Sequence, residues 1–216
     1  MFLRIRYFKR IKLKKLVIVL QSLFSRKRLR GKRVFLRPAK RRDAIKWQKL
    51  RLSSKSFLSP WEPKWDASSC SRRAFMRYLK NSSYLANMDR SYSFLIFKEE
   101  DKDLIGGVNV FNVRRGVSQS ASLGYWIGKR FAKKGFMNEA LEVLLPSLFV
   151  DLRLNRIEAA TLKNNIASRG LLEKLGFIKE GVCRAYLKID GKWQDHVLYS
   201  LLQEEYKKRI KQSQNS

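Results

Sequence analysis

The chain has 216 residues, 44% hydrophobic and 12% aromatic, which suits one α+β domain with a packed core and excludes global disorder. Forty-eight lysines and arginines face 18 acids, a net charge of +30 that points to polyanionic partners: nucleic acid, a nucleoprotein or an anionic membrane. A single histidine, His196, and two cysteines, Cys70 and Cys183, exclude a His-rich or four-cysteine metal site and a disulfide scaffold. Both thiols are expected to be buried and reduced, as in a cytoplasmic protein.

Residues 1–33 hold 13 of the basic groups and no acid, so they read as a basic, flexible or amphipathic tail. The stretch at 16–24, apolar over 16–20, is far short of the roughly 20 residues a spanning helix needs. It ends in Ser25-Arg26-Lys27-Arg28 and not in a small-residue cleavage site. Three readings of the tail stay open: a solvated leader, an amphipathic segment on an anionic membrane surface, or an RNA contact. Residues 34–202 show no internal boundary, and 203–216 read as a charged helix or tail.

Alternation predicts a first strand from Val34 that ends at Pro38, then a helix over 40–53. Residues 57–65, rich in Pro and Trp, read as an irregular loop. Asp66 or Ser68 is expected to cap a second helix carrying Phe75, Tyr78, Leu79 and Leu85. Strands follow at 93–98, 104–111 and 120–127. A basic loop over 128–135 leads into the best amphipathic helix, 135–152, with Leu141, Leu144, Leu145 and Leu148 on one stripe. A strand at 156–162 and a short helix at 165–175, closed by Gly176, come next. Two strands joined by Asp190-Gly191 finish the domain. This order is not pure βαβ alternation. It predicts an α+β fold with a mixed, mostly antiparallel sheet of about seven strands and four helices.

The segment from Leu123 to Leu141 carries the chemistry. A strand ends, a basic loop follows and a helix begins. The helix start presents unpaired N–H groups and the positive end of its dipole, a seat for a phosphate or diphosphate. Arg130, Lys133 and Lys134 add full charges. Taken alone, the segment is also an ordinary basic loop on a basic protein. With Asn155-Arg-Ile-Glu-Ala159, Asn165-x-x-Ser168 and Leu175-Gly-Phe177, however, it resembles the GNAT superfamily of acetyl-CoA-dependent N-acetyltransferases. Within it, Phe57-Leu-x-Pro-Trp-Glu-Pro63, Leu123-Gly-Tyr-Trp-Ile-Gly128 and the stretch from Tyr186 to Leu198 resemble the ribosomal-protein-alanine N-acetyltransferases of the RimJ and RimL type. The resemblance covers residues 34–201 and leaves the tail outside.

The resemblance implies that acetyl-CoA, without a metal, is held by Trp126, Ile127, Arg130, Phe131, Ala132, Lys133, Lys134, Gly135, Phe136 and Met137, with Asn165 on the pantetheine arm. A backbone N–H of Trp126 or Ile127 would polarise the thioester carbonyl. Where the family's loop usually carries its first glycine, this chain has Lys133; if that position needs a positive φ, the side chain costs about 1–2 kcal/mol. Ser168 is the candidate donor to the leaving thiolate, with Tyr125 and Tyr186 as alternatives. Glu62 is the candidate base, its pKa expected to be raised by flanking Trp61 and Pro63. His196 reads as a buried structural residue.

The implied acceptor is the N-terminal α-amine, an alanine, of a small-subunit ribosomal protein carried on a ribosomal particle, with contact to ribosomal RNA through the positive charge. Two other readings remain: a small-molecule N-acetyltransferase, and a non-catalytic member that binds RNA or the ribosome.

Overall fold

The computed structural model describes Phe24 and residues 27–214. In chain order these form β1 (Leu29–Arg30), β2 (Val34–Arg37), α1 (Ala44–Ser53), α2 (Lys55–Leu58), α3 (Arg72–Asn87), β3 (Tyr92–Lys98), β4 (Leu104–Arg114) and β5 (Ser120–Ile127). Then come α4 (Phe136–Val150), β6 (Arg156–Leu162), α5 (Ile166–Lys174), β7 (Ile178–Ile189), β8 (Lys192–Leu202) and α6 (Gln203–Gln214). The strands make one sheet in the order β1-β2-β3-β4-β5-β6-β8-β7. Every neighbouring pair is antiparallel except β5 and β6, which α4 connects as a crossover.

Period-2 alternation sets the two faces of this sheet. Register puts Phe94, Val108 and Tyr125 on one face, and Leu95, Gly107 and Trp126 on the other. Helices α1 and α3 cover the Trp126 face: a Cβ on Gly128 would collide with Leu50, and Trp47 packs on Phe75 at 5.3 Å. The stripe read from α4 is buried throughout, with Ala140, Leu141, Leu144 and Leu148 fully enclosed.

The architecture is the expected mixed α+β one; the described residues form eight strands and the six α-helices α1 to α6, where seven and four were anticipated. The extra strand is β1, cut from the segment read as tail. Leu29 and Arg30 pair with Leu36 and Phe35, and Phe24 is buried edge-on against Tyr92 and Phe94. The basic charges of 27–33 therefore flank a sheet edge and belong to the domain. The readings of residues 1–23 lie outside the described residues.

Three local expectations are corrected. α3 starts at Arg72, capped by Ser71 Oγ, which accepts from Ala74 N at 3.0 Å; Asp66 instead caps the preceding turn through Ser68 N at 2.7 Å. β4 runs on to Arg114 through a bulge in which Asn112 takes φ +52°. Cys183 is only half-buried, while Cys70 is buried, and both are free thiols. The hairpin turn is as read: Asp190 and Gly191 both have positive φ, as a two-residue primed turn requires. Among the described residues, no helix is long and apolar enough to cross a membrane.

Candidate active site

The site begins as a fault in the sheet. β5 and β6 pair over Ser120–Ser122 and Arg156–Glu158 only. Beyond that, residues 123–127 follow β4 and residues 159–162 follow β8, so a wedge opens between the strands. Antiparallel pairing alternates between residues that bond the neighbour and residues that turn away. Gly128 N donates to Ile105 O at 2.9 Å, which assigns Trp126 and Gly124 to the β4 side. Leu123, Tyr125 and Ile127 therefore turn their N–H and C=O groups into the wedge. Of the two oxyanion-donor candidates, Ile127 has its N–H there. Trp126 does not; its indole lies across Gly107, where an added Cβ would sit 2.6 Å from indole Nε1.

At the mouth of the wedge, Lys129–Phe131 form a single 3-10 turn and α4 starts after Gly135. The first α-helical bond runs from Glu139 N to Gly135 O at 3.1 Å. By helix geometry the N–H groups of Phe136, Met137 and Asn138 precede it and have no intrahelical acceptor. Asn138 Oδ1, in the same turn, is buried without a hydrogen-bond partner. Gly135 takes φ +79° and Lys133 φ +59°, so the position where the family's glycine is replaced does use the left-handed region.

The loop side chains divide by environment. Lys133 and Lys134 are exposed, and Arg130 lies over Phe131 while pairing with Asp103 at 3.0 Å. Phe131 and Met137 are buried, so their side chains serve the core and leave only their backbone to the loop's surface. Ala132 and Phe136 are half-buried between the two sets. Free N–H groups and uncompensated cations around a glycine-capped helix start fit a diphosphate.

Arg33 completes this end and carries no local signal as a site residue, because it lies in the charge-dense stretch that reads as tail. Its backbone N–H and its Nε donate to Glu139 Oε1 at 2.5 Å and Oε2 at 2.8 Å. A terminal nitrogen donates to Lys134 O at 3.2 Å, and the guanidinium covers the Phe136 ring. Burial works to raise the pKa of Glu139, but the Arg33 hydrogen bonds outweigh it and hold the carboxyl below its ordinary range. The acid in the first turn of α4 is thus neutralised beside the anion seat.

On the Tyr125 face, Asn165 caps α5 through Oδ1, which accepts from Ser168 N at 3.2 Å. That uses the amide oxygen and leaves the amide N–H groups as donors. Ser168 Oγ lies 2.9 Å from Tyr125 Oη. Burial pushes the Tyr125 phenol up to about 12, with the Ser168 hydrogen bond acting the other way. The pair is a neutral hydroxyl couple across the edge of the wedge.

On the opposite face stands Glu62. Arg51 holds its carboxylate at 2.8 Å and 2.5 Å, and Trp65 Nε1 donates to Oε2 at 2.8 Å. The groups around it are therefore Arg51 and Trp65, where Trp61 and Pro63 were expected. The Arg51 guanidinium in turn faces the rings of Trp65 at 4.3 Å, Trp126 at 4.9 Å and Trp47 at 5.8 Å. Asp190 N donates to Glu62 O at 2.9 Å, so the β7–β8 turn is tied to the Glu62 loop. His196 is buried, with Nδ1 3.0 Å from Gln194 O, and Tyr186 is edge-on to its ring at 5.8 Å.

Comparison with known proteins agrees with this geometry. Residues 33–178 match the family model described as an acetyltransferase (GNAT) domain. The chain is 36% identical over 174 residues to the ribosomal protein uS5-alanine N-acetyltransferase of Escherichia coli K12, an alignment covering 81% of this chain and 90% of that one. It is 33% identical over 178 residues to a probable N-acetyltransferase of Bacillus subtilis, YjcK, covering 81% and 96%. RimJ of Mycobacterium smegmatis, solved with a CoA disulfide, superposes with a TM-score of 0.80 at 31% identity, covering 83% of this chain and 89% of that one. With likenesses that extend through the wedge and the loop before α4, the chain belongs to the GNAT family and is an acetyl-CoA-dependent N-acetyltransferase.

Proposed function

We propose that the acceptor is the N-terminal α-amine, an alanine, of a small-subunit ribosomal protein, modified in the cytoplasm while it is carried on a ribosomal particle. The observation that carries this reading is the placement of polar groups on both faces of the free end of β5. Glu62 stands on the Trp126 face and Ser168 on the Tyr125 face. A thioester lying in the wedge is then open to an amine from one side and to a proton donor from the other. The likeness to the uS5-alanine enzyme supports the choice of amine.

The amine nitrogen attacks the thioester carbon and the C–S bond breaks. The N–H of Ile127 stabilises the carbonyl oxygen as it gains charge. Glu62, its oxygens fixed by Arg51 and Trp65, accepts the amine's proton through water. A weak base suffices, because an α-amine with a pKa of about 7.7–8.0 is roughly a tenth neutral near pH 7, against well under a hundredth for lysine. Ser168, its hydroxyl held in place by Tyr125 Oη, delivers a proton to the departing thiolate and regains one from solvent. Lys133, Lys134 and Arg130 hold the phosphates, and Asn165 bonds the pantetheine arm.

The net charge of +30 attracts the enzyme to ribosomal RNA and repels a free basic acceptor. Intact-mass measurement of ribosomal proteins from cells lacking this protein tests the acceptor. One small-subunit protein should lose about 42 Da, the mass of one acetyl group; no change in any ribosomal protein overturns the reading. At low salt, ribosomal particles should be modified faster than the free acceptor, and the reverse order removes the steering argument.

A further inference from the structure

A groove of about 890 Å³ lies on the α1/α3 side of the sheet, at its β1 end. Its floor is Phe35 stacked on Phe97 at 5.1 Å. Its walls are the turn leading into α1 and the last two turns of α3. Three strand spacings separate β2 from β5, about 14 Å, so this is not the acetyl-CoA wedge.

Among the described lining residues, six are cationic and one, Asp43, is acidic. Asp43 is almost fully buried and both its oxygens are taken by Arg37 at 2.7 Å, so it presents no negative charge to the groove. Arg28 covers Phe35 at 3.8 Å, with Lys102 Nζ 5.5 Å from the same ring. Glu99 and Asp103, on the rim, are shared among Arg28, Arg30 and Lys102, and between Lys46 and Arg130. Lys40 and Arg42 are exposed and have no ion pair among the described residues. Ser82, Ser83, Asn87 and Ser93 add neutral donors and acceptors.

We propose that this groove binds the phosphate backbone of RNA. Its excess of cations over accessible acids selects a polyanion. The same sign of charge rejects residues 1–23 of the chain itself, with seven basic groups and no acid, and rejects a second copy. A concave channel lined by serine and asparagine suits a strand of phosphates and riboses and not the flat face of a bilayer. The proposal draws on the ribosomal reading for the source of the RNA; the charge and shape of the groove stand apart from acetyl transfer.

The test is fluorescence anisotropy of a single-stranded RNA of about 16 nucleotides on the full chain across a salt series. Lys40→Glu with Arg42→Glu should weaken binding about tenfold and flatten the salt slope by about 1.4, the loss of two phosphate contacts. A control of equal charge change on α6, Lys208→Glu with Lys211→Glu, should weaken it less than about threefold. Equal losses in both variants, or an unchanged slope in the first, overturn the proposal. So does loss of binding to anionic phospholipid vesicles with RNA binding intact. Acetyl-CoA titration of the same variants should be unchanged. RNA binding that tracks the groove in cells whose ribosomal proteins keep their normal masses without the enzyme would retain the groove and discard the acceptor.

Discussion

The two sides of β5 are built by different means. On the wedge side, where acetyl-CoA is proposed to bind, the donors are mainly backbone groups: the N–H of Ile127 and the first turn of α4, with Lys133 and Gly135 bending the chain toward them. On the Glu62 side everything converges on one guanidinium, which bonds a carboxylate and faces three indoles. Backbone donors survive side-chain replacement; a hub made of one side chain does not. Arg51→Ala is therefore expected to have the largest effect. It strands Glu62 among indoles and should lower unfolding free energy by about 3 kcal/mol, measured by denaturant titration. Arg51→Lys keeps the charge but loses the planar two-point bond and the stacking, and should recover less than half of that loss. A variant as stable as the parent would show that the two sides are equally tolerant.

The comparison sharpens at Ser168 and Tyr125, a polar side-chain pair on the Tyr125 face of β5. On the proposed mechanism, in which the hydroxyl acts on a charge that appears only as the C–S bond breaks, Ser168→Ala should lower kcat about 100-fold with the KM for acetyl-CoA unchanged. Tyr125→Phe, which leaves Ser168 in place, should cost about tenfold. With the phenol protonated up to about pH 12, this pair introduces no break in the rate profile near neutrality. The profile should rise with deprotonation of the acceptor amine near pH 8. A second inflection that disappears in Tyr125→Phe would contradict the assignment.

The same contrast explains what could be read in advance. The strand, basic loop and helix are contiguous, Asn165-x-x-Ser168 is a short motif of its own, and each carries a local signal: alternation, glycine, the α4 stripe, a cap. Whether Lys133 needs a positive φ is a local question too, left conditional by the sequence, and the backbone there takes +59°. Arg51 gives no local signal. It is one of 48 basic residues, its carboxylate is 11 positions away, and its three indoles come from α1, the loop before α3 and β5. Arg33 was hidden differently: a charge-dense stretch reads as solvated tail until pairing of β1 with β2 shows it to be sheet edge. The wedge had no signature either, because where two strands stop pairing is decided by register and not by residue type.

Glu139 joins the two modes, a side chain that supports a backbone site. Its carboxyl is held below the ordinary range in the fold, so the stability it contributes is complete above the unfolded-state value of about 4.3 and is lost as pH falls through the folded value. Glu139→Gln should cost about 1–2 kcal/mol at pH 7. The gap between parent and variant should close below about pH 4 in denaturant titrations run across pH. Arg33→Ala, which leaves the acid unpaired beside the anion seat, should weaken acetyl-CoA about tenfold by calorimetry, with Arg33→Ala/Glu139→Gln regaining most of it. A gap independent of pH would mean that the carboxylate form contributes nothing.

Lys133 is the finest test of a backbone-built site. At φ +59° its Cβ is crowded in a way a glycine's absent side chain is not, at a cost of about 1 kcal/mol. Glycine removes that strain but gives the unfolded chain more freedom, an offset of about 0.5 kcal/mol or more. Lys133→Gly should therefore stabilise the protein by no more than about 0.5 kcal/mol. Acetyl-CoA affinity should fall only about twofold to threefold, the worth of one exposed point charge on a phosphate. The N–H at position 133 is present in both proteins. A tenfold or greater loss of affinity would mean that the ammonium, and not the bent backbone, does the holding, and the contrast between the two sides of β5 would reduce to two sites that each rely on a single charged side chain.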